Sequence, residues 1–526
     1  MDNEVEPVAA DDTLMIVNRS KKYWVNKQSI CSSIPYLGKM FSSGILEPND
    51  KKVVLDFDER AFDMIIRHAN LDGVIIEMDC VIKLYNLADH LMIENELLED
   101  CSSYFYSNFS LENLEVVIPQ VSKESKLFNV AALETFICRH FLKISNSAAF
   151  LDYSVDTIEY ICKLNLVISS EYQVIQAITK WIGANDTRKI HLIRLLKCVR
   201  WCFYNYDLLS FSQDELMKSA DLTSLVCTPD KCNCNCVYNR SNRKCFVVIY
   251  ELDSSNVNIK ILNNKFIMLF SDNFELNESM SLNILHDEHV CDVFFDSGSK
   301  GIRFDWNSKK YRWHDFSIYS KCYYTQLQKC ISKNVEEKWS HLRTDANTKQ
   351  NLSPLPYCHE MAILENKENL MLIGKIKKGR FIYTVPLPTK LSKYALKEDK
   401  ARSFIATVLS NVIYIMNRNF EFIEFNLDDG SFKKSKPFDG DKFNFDDLAL
   451  TSHQSRDSKV ILVDKSTRDI FTFDVSSGKW WSIGRINRRS SKNDEKSTKL
   501  LAFTSALLSI DHIKPRSKRK LISLDQ

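Results

Sequence analysis

The chain changes its hydrophobic rhythm twice. Near the start, residues 13–17 (TLMIV) and 23–26 (YWVN) flank the polar stretch NRSKK and predict a β-hairpin. Tyr36, Leu37, Met40 and Phe41 then fall at helical spacing, ahead of a break at Ser42-Ser43-Gly44 and the stretch Ile45-Leu46-Glu47-Pro48. Lys51 to Phe57 (KKVVLDF) reads as a further short strand. From Arg60 onward the period becomes helical, with Phe62, Ile65, Ile66 and Ala69 on one face, and it persists through Leu84, Leu87, Leu91, Leu97 and Leu98. A small mixed sheet capped by helices is expected.

Helical patterning continues from about Leu127 to Met217. Its clearest part predicts an antiparallel helix pair: Ser170 as N-cap, Val174, Ile178 and Trp181 as the buried stripe, Gly183 with Asn185 as the stop, and Asp186 as the next cap. Beyond about Ser219 the rhythm changes again. A polar, cysteine-rich stretch is followed by short β-rich runs such as CFVVIYEL, KFIMLF, RFIYTV, VIYIM and VILVD. A second element recurs among them: FDWNSKKYRW from Phe304, FNLDDGSFKK from Phe425 and FDVSSGKWWS from Phe473 each join a strand, a polar turn and a strand. The last two begin 48 residues apart. A period of about 40–50 residues is that of four-stranded propeller blades, which gives five or six blades in this part of the chain.

Length and composition refine this picture. At 526 residues the chain predicts about three domains, at roughly 100–200 residues each. Lys and Arg number 70 against 68 Asp and Glu, and a net charge of +2 gives no general attraction to nucleic acid or to an anionic membrane. No stretch reaches the roughly 20 apolar residues of a membrane span. The opening MDNEVEPVAADD lacks the basic start and apolar run of a secretory signal. The 16 cysteines are therefore expected to be reduced thiols in cytoplasm or nucleus, several of them at apolar positions such as Cys138, Cys162 and Cys198.

The stretches DDTLMIV, YWVNKQSICSSIPYLGKMFSSGILE and LYNLADHLMIENELLEDCSSYF resemble the opening and later helices of a BTB domain. FLDYSVDTIEYICKLNLVISSEYQVIQAITKWI and HLIRLLKCVRW are similar to BACK helices at nearly every apolar position. With its strand-rich back, the chain resembles the BTB, BACK and kelch proteins, and the match is carried by residues 11 to about 217. The implied fold is multidomain α+β. It comprises a flexible N-terminus at 1–10, an α/β BTB (POZ) domain at 11–110, an all-α BACK array at 111–218 and a linker at 219–240. An all-β kelch-like propeller of five or six blades follows at 241–512, with a basic tail at 513–526. Kelch blades usually carry a Gly-Gly pair, and this chain has none among its 12 glycines.

The resemblance also implies function. In the family a hydrophobic residue, any residue and then Glu dock on the cullin scaffold of a RING ubiquitin ligase, and Ile45, Leu46 and Glu47 match that motif. A homodimer is implied, with Asp12 (or Asp11) and Lys27 at its interface, although Asn26 stands where the family usually has His. Leu71-Asp72-Gly73 likewise replaces the usual Tyr-Thr-Gly. The implied role is a non-catalytic substrate-recognition adaptor with a protein substrate on the propeller, and the alternatives are an actin-binding cytoskeletal scaffold or a nuclear regulator.

Three further stretches invite chemistry. Cys227, Cys232, Cys234 and Cys236 are spaced x4, x1, x1 rather than as paired Cys-x2-Cys knuckles, so free thiols of a linker are expected in place of zinc. His286 to Asp292 (HDEHVCD) carries ligand-type atoms without a repeated spacing and is expected to be a polar loop. Lys514, Arg516, Lys518, Arg519 and Lys520 could serve nuclear import, which adds a nuclear residence to the cytoplasmic one. Nucleotide-loop, zinc-protease and nucleophile-elbow motifs are missing from the sequence, and no active site or cofactor is expected.

Overall fold

The computed structural model describes residues 12–44, 51–93, 96–203, 240, 244–314, 323–331, 360–365, 370–376, 379–384, 404–435, 437–439, 442–453, 459–486 and 499–508. They fall into two units, Met1–Glu134 and Thr135–Gln526.

In the first unit, β1 (Thr13–Asn18) pairs antiparallel with β2 (Lys21–Asn26) and parallel with β3 (Lys52–Leu55). The expected five-residue turn shrinks to Arg19 and Ser20, because Asn18 already pairs with Lys21 and Arg19 takes a positive φ of 50°. Alternation assigns the faces: Leu14, Ile16, Val25, Val53 and Leu55 are buried, whereas Trp24 and Val54 are exposed on the other side. The helices are α1 (Lys27–Ser33), α2 (Pro35–Ser42), α3 (Glu59–Ala69), α4 (Val81–His90), α5 (Glu96–Asn108) and the short α6 (Leu114–Val117). Asn26 and Asp58 cap α1 and α3 by accepting from Ser29 N and Ala61 N. Phe62, Ile65, Leu84 and Leu91 are fully buried, as the helical stripe requires.

The helix α7 (Val130–Asn146) leads into α8 (Ala148–Asp152), α9 (Val155–Lys163), α10 (Tyr172–Gly183) and α11 (Leu192–Leu196). Val174, Ile178 and Trp181 are buried, and the Trp181 indole donates to the Tyr153 carbonyl at 3.0 Å. Two cap assignments change. Ser170 Oγ accepts from Tyr172 N at 3.1 Å from just outside the helix, whose N-cap position is Glu171. Asn185 rather than Asp186 caps the next turn, and that turn is a 3-10 helix, Asp186–His191. The second helix of the expected pair is therefore only α11.

Among the described residues the remainder is β apart from one α-helix and one 3-10 turn. Blade one is β4 (Lys244–Glu251), β5 (Asn256–Leu262) and β6 (Met268–Leu276); blade two is β7 (Val290–Phe295), β8 (Lys300–Asp305) and β9 (Lys310–Trp313). Blade three, β10 (Glu360–Glu365), β11 (Leu370–Ile376) and β12 (Gly379–Thr384), follows the helix α12 (Tyr323–Ile331). Blade four is β13 (Phe404–Leu409), β14 (Val412–Asn417), β15 (Phe422–Asn426) and β16 (Phe432–Ser435). Blade five is β17 (Leu448–His453), β18 (Lys459–Asp464), β19 (Asp469–Asp474) and β20 (Lys479–Arg485). The last strand, β21 (Lys499–Leu507), returns to pair antiparallel with β4 and becomes the inner strand of blade one. Among the described residues the propeller thus has five blades, the outer strands β6 and β9 of the first two joined by a short parallel pairing, and it is closed by β21.

Hydroxyls stitch the inner strands together. Thr504 Oγ1 donates to Phe294 O at 3.0 Å, Ser297 Oγ accepts from Ala406 N at 2.8 Å and Ser452 Oγ donates to Val408 O at 2.5 Å. Thr451 and Ser505 complete the ring at 3.1 Å. Blade three joins through its backbone, with Ile363 N donating to Ser297 O at 3.0 Å. One glycine is nevertheless irreplaceable: Gly298 has φ +77°, and a Cβ there would lie 1.9 Å from the Ile363 carbonyl oxygen of blade three.

Candidate functional site

The first unit brings two of the sequence-marked residues together. Lys27 N donates to Asp12 O at 2.8 Å, and Asn26, standing where a histidine was expected, donates from Nδ2 to Asp12 Oδ2 at 3.0 Å. The Lys27 ammonium sits 3.9 Å from the centroid of Phe41, a cation–π contact. Helix α2 buries Leu37 and leaves Tyr36, Met40 and Phe41 half-buried, then ends in a turn at Gly44 with φ 75°. Ile45, Leu46 and Glu47 lie outside the described residues, as do Lys514 to Lys520 and Cys227 to Cys236. After α3 the loop carries Leu71, 94% exposed at φ 63°, and Ile75, 78% exposed. Leu71 opens the stretch that departs from the family pattern, whereas Ile75 was not singled out by sequence.

The second unit assembles a site that sequence reasoning only half found. Helix α7 sends Arg139 and Lys143, four residues apart on one face, toward the propeller. Arg139 Nη1 lies 3.0 Å from His286 Nδ1 and 2.9 Å from Nε2, His286 Nδ1 is 3.2 Å from the Asp287 carbonyl oxygen, and Arg139 Nη2 donates to the Val290 carbonyl of blade two. Lys143 pairs with Glu365 of blade three. Behind them Asp292 is enclosed: Arg303 donates from Nε and Nη2 at 2.7 and 2.8 Å, while His286 Nε2 and His314 Nε2 lie at 3.0 and 2.7 Å. Arg303 is fully buried and also donates to the Ser281 and Asn283 carbonyls at 2.7 Å each.

The electrostatics follow from burial and pairing. Burial opposes ionisation of Asp292, but Arg303 and the two histidines outweigh it and hold the carboxylate well below its ordinary range. Burial, reinforced by Arg139, pushes His286 down to about 4. His140, next on α7, is depressed further by burial and the adjoining Lys143 and Arg139, and its Nδ1 has no hydrogen-bond partner. The expected polar loop is therefore only partly a loop, since Asp292 lies within β7. Arg303 carried a readable signal, because an arginine between Ile302 and Phe304 in an apolar strand demands a buried acid. Arg139, more than a hundred residues away, carried none.

A second buried pair anchors the entry to the propeller. Arg240 donates from Nε and Nη2 to Glu171 at 2.7 and 2.9 Å, and to the carbonyls of Cys162, Leu164 and Cys198 at 2.6, 2.7 and 3.2 Å. Glu171 also accepts from Arg200 N at 3.1 Å. Neither arrangement offers a nucleophile poised on a base, and among the described residues no group of His, Cys, Asp and Glu could hold a metal ion.

The BACK family, "BTB And C-terminal Kelch", matches residues 119–213. Kelch-like protein 17 of Mus musculus is 25% identical over 210 residues, 39% of this chain and 32% of the relative. Kelch repeat and BTB domain-containing protein 12 of Homo sapiens is 22% identical over 228 residues, 41% of this chain and 34% of the relative. The BACK match and these relatives support a BTB, BACK and kelch family for the chain. The likeness is a distant one: Kelch-like protein 6 of Homo sapiens is 20% identical over 187 residues, 35% of this chain and 30% of the relative. The chain aligns with about a third of the length of these curated relatives. In this chain the Arg139 cluster joins the helices of the BACK match to the blades, and the Asp12–Asn26–Lys27 contacts lie at the start of the first unit.

Proposed function

We propose that this protein is a substrate-recognition adaptor of a cullin-RING ubiquitin ligase. The observation that carries the reading is the order of parts in one chain: a BTB-like sheet and helices, BACK helices, and a propeller closed on itself. In this role Ile45 is the apolar anchor in a cullin groove, Leu46 flanks it, and Glu47 accepts charge-assisted hydrogen bonds at the rim. Asp12 and Lys27 lie at a homodimer interface, and the blade loops hold a protein substrate. The chain itself performs no chemistry. It acts by proximity, raising the effective concentration of substrate lysines near a ubiquitin-charged enzyme carried by other subunits, and a dimer adds avidity.

Titration of the full chain with a purified cullin N-terminal domain tests this. Binding is expected, and Ile45→Ala and Glu47→Ala should each weaken it by about tenfold or more, equivalent to ~1.4 kcal/mol. If the wild-type chain fails to bind, the adaptor reading falls and a scaffold without ligase activity replaces it.

A further inference from the structure

The register of the first sheet fixes which side chains share its outer face. Met15 lies opposite Trp24 on β2 and Lys52 on β3, and Val17 lies opposite Lys22 and Val54. Alternation sends Leu14, Ile16, Val25, Val53 and Leu55 inward, so these six stand together on the other side. They form two rows across three strands: Trp24, Met15 and Lys52 in one, Lys22, Val17 and Val54 in the next. The apolar four run as one diagonal band, with Trp24 54% and Val54 67% exposed and Met15 and Val17 half-buried between them. The two lysines hold the opposite corners. A tryptophan open on a sheet face is the kind of side chain that anchors an interface. We propose that this face is a docking surface whose occupant is the acidic segment of residues 1–11 of the same chain, which lies outside the described residues.

Charge selects the occupant. Among the described residues no ion pair engages Lys22 or Lys52, whereas Lys21 is held by Asp63 and Arg19 by Asp56. The face therefore suits an apolar stretch with acids on either side of it. Residues 1–11 (MDNEVEPVAAD) carry Asp2, Glu4, Glu6 and Asp11 without a lysine or arginine, and Val5 and Val8 stand among those acids. The other open apolar pair of this unit, Leu71 and Ile75, lies in a loop from Asn70 to Cys80 that contains no lysine or arginine to receive them.

The tether directs the segment to this face. Asp12 is fixed beside it, the carbonyl accepting from Lys27 N at 2.8 Å and the carboxylate from Asn26 Nδ2 at 3.0 Å, and Asn26 pairs with Thr13 one row before Trp24 and Met15. Rows two residues apart are separated by about 7 Å, so the row of Lys52 lies about 7 Å from Thr13 and that of Lys22 about 14 Å. Val8 and Val5 precede Thr13 by five and eight residues, which span about 16 and 28 Å when extended. Both rows are within reach of a segment that folds back over the sheet. Exposed ion pairs are weak one by one, but attachment at Asp12 holds the segment at an effective concentration of about millimolar, where such contacts and an apolar band suffice together. The inference is independent of cullin docking.

Two readouts on the full chain test it. A carbodiimide condenses a lysine and a carboxylate in contact into an amide, with loss of water, and mass spectrometry locates the bond. Crosslinks from Glu4 or Glu6 to Lys22 or Lys52 are expected within single chains, with their yield divided by that of Lys163–Glu159, a pair lying wholly within α9. Trp24→Ser with Val54→Ser leaves both lysines in place and should lower that ratio about threefold or more with far-UV circular dichroism unchanged, because the band and not charge alone holds the segment. Hydroxyl-radical footprinting reads the same contact from the other side: oxidation of Trp24 should rise about threefold when residues 1–11 are deleted, and likewise in the full chain with Lys22→Glu and Lys52→Glu. A crosslink ratio that ignores the Trp24→Ser and Val54→Ser changes, crosslinks found only between chains, or a Trp24 oxidation rate that deletion leaves unchanged would each overturn the proposal, the last of them giving the face to another occupant or to none.

Discussion

Arg240 shows how one side chain can be worth more to the fold than its surroundings suggest. Its guanidinium and the Glu171 carboxylate are 1% and 0% exposed, and every donor direction of the arginine finds an oxygen. A buried pair of this kind adds little over a well-packed apolar pair, but removing one member strands the other without solvent. Arg240→Met is expected to cost about 3–5 kcal/mol, and a double replacement, Arg240→Met with Glu171→Leu, to recover most of that loss. Urea unfolding followed by tryptophan fluorescence distinguishes the cases, since Trp181 and Trp201 are buried in these helices. A double variant as unstable as the single one would mean that packing, and not stranded charge, sets the cost. The thiols nearby follow the same logic of burial, which pushes Cys198 up to about 11 and keeps it protonated and inert.

Among the elements, β21 has the largest task for its length. It pairs with β4 over almost its whole run and meets blade five through Ser505, which donates to Ser452 O at 2.5 Å. Ending the chain after residue 498 should therefore unfold the propeller and not merely fray blade one, with loss of the β-sheet circular dichroism signal while the helical signal persists. A truncated chain with intact sheet signal would show that β4 can serve as an inner strand alone. The blades were legible in sequence through a turn that survives without Gly-Gly. Asp305, Asn426, Asp464 and Asp474 each accept from the backbone N–H two residues on, and the chain then turns at Lys309, Gly430, Arg468 and Gly478 with φ of 57–69°. FDWNSKK, FNLDDGS and FDVSSGK spell that local geometry, which is why those hairpins were found. Closure by β21 was not legible, because pairing across more than 200 residues leaves no local trace. The Asp292 cluster was half legible for the same reason: His286 and Asp292 stand six residues apart, whereas their partner Arg139 is fixed only by the docking of a distant helix.

For the whole molecule, the proposed role needs two things of the architecture, a paired front and a stiff arm. Asp12, Asn26 and Lys27 are already mutually ordered in a single copy, so pairing of two chains would require little rearrangement there. Sedimentation should show a dimer for the wild type and a shift toward monomer for Lys27→Glu; an unchanged dimer would place the interface elsewhere. On the propeller side α7 is held to the blades by Arg139 and Lys143 together. Ring closure by the final strand carries a cost in biosynthesis. Blade one emerges from the ribosome early yet must wait, with the open edge of β4 unsatisfied, until residues 499–507 have been translated. A nonsense or frameshift lesion anywhere upstream of that strand would leave every blade already made without its keystone, and the nascent chain would pass to chaperones or degradation instead of yielding a shortened working protein.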